Sequence, residues 1–112
     1  MCERPDDPIP PLLDEIRALL VAPATGETAP VLTELEDTLT EGYARALELE
    51  ATRWRLERKI SEVAAGLASA AEISVLARRV SCTGADLARL RELLAALQAR
   101  ARACRAEYAT GA

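Results

Sequence analysis

Apolar residues recur at alternating intervals of three and four over two long stretches of the chain. In the first, Leu32, Leu35, Leu39, Gly42, Ala46, Leu49, Arg53, Leu56, Ile60, Val63 and Leu67 form one line through five heptads. In the second, Ile73, Leu76, Val80, Thr83, Leu87, Leu90, Leu94, Leu97, Ala101, Cys104 and Tyr108 do the same. A repeat of 3.5 residues keeps one narrow face of a helix turned toward a partner helix, so each stretch predicts half of a coiled-coil seam. Gly66 and the small residues after it weaken the first helix, and Ser69-Ala-Ala-Glu72 is a capping-box pattern that starts the second. Gly84 disfavours helix by about 1 kcal/mol, but the register passes through it unbroken and predicts one helix.

Two long helices joined by a turn near 67–70 must run antiparallel. A turn centred on Ala68 sets Gly42 against Leu94, Ala46 against Leu90, Leu35 against Ala101, Leu32 against Cys104 and Arg53 against Thr83. Small residues then face large ones, and the two polar seam positions face each other. A shift of one heptad sets Arg53 on Leu90 and Gly42 on Ala101, leaving a charge on leucine and a void. The first register is the one the sequence favours.

Upstream, Pro5, Pro8, Pro10 and Pro11 predict an extended acidic arm over residues 1–11. Leu12, Leu13, Ile16, Leu19 and Leu20 then predict a short amphipathic helix over 12–21, stopped by Pro23. Residues 22–30 (APATGETAP) read as a linker, with Pro30 suited to the first turn of the next helix. The expected organisation is arm 1–11, docking helix 12–21, linker 22–30 and antiparallel hairpin 31–109.

Composition narrows this all-α reading. Twenty-three alanines, no phenylalanine and three aromatic residues suit narrow seams better than a bulky core. Lys59 is the only lysine beside thirteen arginines, a bias that together with the alanine content points to a GC-rich bacterial genome. Residues 1–50 hold twelve acids and three bases, whereas 51–112 hold six acids and eleven bases. The formal charge of −4 therefore hides an acidic half able to lie along a basic half. Glu36, Glu50 and Glu57 flank the first seam, and Arg91 and Arg105 flank the second. Exposed pairs of this kind contribute only about 0.2–1 kcal/mol each, so their expected role is to select orientation.

The chemistry available is limited. Without histidine, Thr38, Thr40 and Ser81 have no imidazole base to make them nucleophiles, and enzymatic activity is not expected. Cys2, Cys82 and Cys104 have no metal-ligand spacing, so neither metal nor cofactor is expected, and a disulfide is improbable. With no secretory-type leader and no apolar run of about 18 residues, the expected setting is reduced and cytoplasmic, without a membrane role.

Apolar residues remain outside the seam. Tyr43, Leu47 and Trp54 form a second stripe on the first long helix, and Leu93 flanks the seam on the other. The short helix could fold back onto them and complete a three-helix bundle. Alternatively they are partner-binding residues, as Trp and Tyr often are, for another protein or for a second copy in a four-helix bundle. At the closed end, Arg53, Arg55, Arg58, Lys59, Arg78 and Arg79 suggest an alternative phosphate, nucleotide or nucleic-acid site. No phosphate-cradling loop accompanies them and the overall charge is negative, so nucleic acid is the less favoured partner. In size and layout the chain resembles the small helical-hairpin proteins of GC-rich bacteria, some of which sequester sigma factors or respond to cyclic dinucleotides. That resemblance implies a regulatory protein-protein interaction module; a repeated Glu/Ser/Arg/Gln/Asp ligand motif for a cyclic dinucleotide is not found on the two long helices.

Overall fold

The computed structural model describes residues 7–66 and 69–110. Three helices form within them: α1 over Ile9–Val21, α2 over Leu32–Ala64 and α3 over Ala70–Thr110. α2 and α3 make the long antiparallel hairpin predicted from the two seams. Their 33 and 41 residues, at about 1.5 Å each, account for most of the 66 Å length of the molecule. The centre of the turn, including Leu67 and Ala68, lies outside the described residues.

Local chemistry explains the helix boundaries. α1 begins at Ile9, inside the stretch predicted to be extended, and carries Pro10 and Pro11 in its first turn. An N–H there has no acceptor within the helix, so the proline rings remove no bond and their fixed φ favours the start. The Asp7 carboxylate accepts a hydrogen bond from the Ile9 N–H at 3.0 Å. α2 starts one residue past Pro30 and Val31, so this proline precedes the helix instead of opening it. The predicted cap of α3 is present, with Ser69 Oγ accepting from the Glu72 N–H at 3.2 Å. α3 continues unbroken through Gly84.

The register is the predicted one. A methyl group on Gly42 would collide with the Leu94 side chain, and Leu35, Ala46, Leu90 and Ala101 are all buried. With seam residues as heptad positions a and d, the e rows flank the seam on one side and the g rows on the other. On the e side are Glu36, Tyr43, Glu50 and Glu57 of α2 and Gly84, Arg91, Gln98 and Arg105 of α3. On the g side are Thr38, Arg45 and Thr52, opposed by Asp86, Leu93 and Arg100.

α1 packs on the g side of the open half, more against α3 than α2. Ile9, Leu12, Leu13, Ile16 and Leu19 are buried there, in one apolar cluster with Leu90, Leu94 and Leu97. Glu15 accepts a hydrogen bond from Thr38, which is 4% exposed. Arg100 reaches the end of α1, its Nη1 donating to the Leu19 and Leu20 carbonyls at 2.6 and 2.7 Å and its Nη2 to those of Ala22 and Pro23. A guanidinium beside carbonyls that lack helical partners acts as a C-terminal cap and favours the helix dipole. The third helix therefore forms the expected bundle, but not over Tyr43, Leu47 and Trp54. Toward the closed end α1 is absent, and Ile60, Val63, Ile73, Leu76 and Val80 are only half-buried.

Candidate functional site

Among the described residues nothing covers the side of the hairpin opposite α1. Along it the e rows make three successive cross-helix contacts, each one heptad from the next. Glu36 pairs with Arg105 at 3.0 Å, the Tyr43 hydroxyl donates to Gln98 Oε1, and Glu50 pairs with Arg91. Between the second and third contacts lies an open groove of about 340 Å³. Ala46 and Leu94 lie at the seam, and Leu47 and Ala95 stand at its edges. A second groove, of about 280 Å³, continues past Glu50 and Arg91 to Arg53, Trp54 and Glu57.

Outside the e rows, the b positions extend the same face. On α2 they are Thr33, Thr40, Leu47, Trp54 and Ser61, and on α3 they are Ser74, Ser81, Ala88, Ala95 and Arg102. Only Arg102 is charged. The c positions of α2, farther round the helix, are Glu34, Glu41, Glu48, Arg55 and Glu62, every one charged. Solvated helix surface is normally charged, so a charge-free row beside exposed Leu47 (66%) and Trp54 (59%) marks a face of different character. Its relief is asymmetric, because α2 raises Tyr43, Leu47 and Trp54 while α3 offers Ser81, Gly84, Ala88 and Ala95.

The four residues expected to act together as a partner surface are divided by the fold. Tyr43, Leu47 and Trp54 share the uncovered face, whereas Leu93 is on the g row and partly buried against the core. The heptad positions already separate them, since Tyr43 is an e residue and Leu93 a g residue, and antiparallel helices set e against e and g against g; closeness to the seam alone groups them. Gln98, Ala88 and Ala95 belong to the face and were missed; their steps of seven from Arg91 and Arg102 were the available signal.

The closed-end bases do not converge on one point. Arg53 Nε donates to Glu57 at 3.0 Å and its guanidinium lies across Gly84. Arg58 pairs with Glu62 at 3.5 Å and stands 5.3 Å from the centre of the Trp54 ring, while Arg55 bonds Thr52. Lys59 and Arg79 occupy the g side, and Arg78 sits at an outer f position of α3. The arrangement is a set of bases around a rod, several of them engaged with their own helix.

The hydroxyls and thiols of the described residues are engaged mostly within their own helices or at the core. Thr40 and Ser61 donate to carbonyls four residues back in α2. Cys104 is a free thiol at the edge of the core, and Cys82 is half-buried and disulfide-bonded. That bond corrects the expectation of wholly reduced cysteines, because spacing along a chain does not report what folding brings near. Among the described residues no group of three or more His, Cys, Asp or Glu is placed to hold a metal ion, and no helix is long and apolar enough to cross a membrane. No protein-family model matches the chain, and no curated protein or solved structure matches it significantly.

Proposed function

We propose that the protein is a non-catalytic helical interaction module, a small regulatory or sequestering coiled-coil protein that acts by binding protein through the e-side face of its hairpin. The observation that carries this reading is the contrast between the two sides of the seam. The side bearing Thr38 and Leu93 is closed by α1, whereas Leu47 and Trp54 stand largely exposed within the b rows, which carry almost no charge, beside e rows whose Glu36, Glu50, Arg91 and Arg105 are paired across the hairpin. Burying side chains of this size gains roughly 1.5–3 kcal/mol each, and aromatic residues in such rows are the usual anchors of interfaces. Phosphate binding by the closed-end bases has less support, since Arg53, Arg55 and Arg58 are engaged along α2 and point around its circumference.

Quantitative capture of interacting proteins, self-association included, tests the proposal. The wild-type chain is compared with Leu47→Glu and Trp54→Glu variants whose helix content is first shown to be unchanged by circular dichroism. Interactions that depend on the face are lost in both variants. Retention of every interaction by both variants rejects the reading.

A further inference from the structure

We infer that the occupant of the uncovered face is a second copy of this chain, packed side by side with closed ends together so that α2 of each copy lies on α3 of the other. This rests on the reading of that face as an interaction surface and names what fills it. Two hairpins meeting through one face have two simple two-fold arrangements. With the axis along the rods, α2 meets α3 of the partner; with the axis across them, α2 meets α2.

Size complementarity selects the first. Leu47 and Trp54 project from α2, and the residues of α3 at the same levels along the rod are Ala88, Ala95 and Ser81. A rotation about the long axis lays each ridge in the other copy's row of small residues. The crosswise arrangement sets ridge against ridge and leaves the small rows facing each other across a void.

Charge selects the same arrangement. Glu50 and Arg91 are already paired at one level within a chain, as are Glu36 and Arg105 two heptads away. Rotation about the long axis turns each pair into a ring of four charges in which every neighbour is of opposite sign and like charges lie on the diagonals. Between the two rings the Tyr43 and Gln98 contact supplies a polar layer able to bond across the axis. Placing α2 on α2 about the Glu50 level instead brings the two Glu50 side chains together, and like-charge contacts are what interfaces use to reject wrong pairings. The area is also adequate. The e and b rows run for about 40 Å, and at a width of about 20 Å the face approaches the ~800 Å² per partner of a standard interface.

Sedimentation of the full-length chain across a wide concentration range tests the inference, together with the emission of Trp54, the only tryptophan. The expected result is a reversible rise from 12 kDa to twice that mass, with emission moving to shorter wavelength as the dimer forms. Leu47→Glu and Ala88→Glu, one on each helix, weaken association at least about tenfold with helix content unchanged. Arg91→Glu does the same by making the ring uniformly acidic, and adding Glu50→Arg restores alternation and association. Spin labels at Ser61→Cys in a Cys104→Ala background then lie about one bundle width apart, roughly 20 Å, whereas the crosswise arrangement separates them by about 30 Å or more.

A chain that stays monomeric at all concentrations overturns the inference. If face-dependent capture of other proteins nonetheless persists, the interaction reading stands without it. A dimer insensitive to both Leu47→Glu and Ala88→Glu, or one with widely separated Ser61 labels, also overturns it.

Discussion

Two glycines in the long helices show how one residue type serves opposite ends. Gly42 is a seam position whose missing side chain is filled by Leu94, and a methyl group built there meets the Leu94 side chain at clashing distance. Gly84 is an e position where the same methyl group would come no closer than 3.6 Å to the Arg53 guanidinium, an ordinary contact. Helix propensity favours alanine at both by about 1 kcal/mol. At Gly42 the forced shift of Leu94 outweighs that gain, since overpacking a filled core costs about 1–3 kcal/mol. Gly42→Ala is therefore expected to lower unfolding free energy by about 1 kcal/mol and Gly84→Ala to raise it by about 0.5–1 kcal/mol, in urea titrations of the monomer. Equal signs for the two refute the packing account. Gly42 could be interpreted from sequence because seam periodicity gave it a partner; the room at Gly84 could not, because it depends on where a long arginine side chain comes to rest.

The helices differ in what holds them. α2 and α3 each carry a seam, and Glu36, Glu50, Arg91 and Arg105 were identifiable as flanking residues by steps of seven alone. α1 has only its apolar stripe and a length of 13 residues, below what is stable alone in water. Its helicity depends on docking, and the contact that fixes its end is made by Arg100, some eighty residues away in sequence. That contact is why the covered side was not predictable. Both sides offered apolar residues, and the larger ones, Tyr43, Leu47 and Trp54, were the more obvious choice. What favours the other side is a cation placed at the last carbonyls of α1 together with Thr38 opposite Glu15, and no periodicity encodes either. Charge-assisted bonds contribute about 1.5–3 kcal/mol when buried and less here, where water can replace part of them. Arg100→Ala is expected to destabilise the fold by about 1–2 kcal/mol and to speed amide exchange in α1 before α2 and α3, with Arg100→Lys recovering part of the loss. Uniform acceleration over all three helices contradicts the capping role.

The radius of gyration, 18.5 Å, exceeds the roughly 13 Å of a compact chain of this length. The excess comes from the closed half, a two-helix stalk extending past the end of α1 with its seam half-exposed. Leu56 is the last buried residue of α2, and Leu87 is the first of α3. Two layers of helix bury one narrow strip, so the stalk has little core of its own and gains most from a neighbour on its open side. Small-angle scattering distinguishes the ways such a neighbour could attach. At the dilute limit the expected radius of gyration is near 18.5 Å and the longest dimension near 66 Å. When mass doubles through the e-side face, the cross-section thickens while the longest dimension stays almost unchanged, because the rods lie side by side. Association through the exposed ends of the stalks would instead carry the longest dimension toward twice its monomer value. That outcome would assign self-association to the half-buried seam of Ile60, Val63 and Ile73, leaving Leu47 and Trp54 free for a different protein.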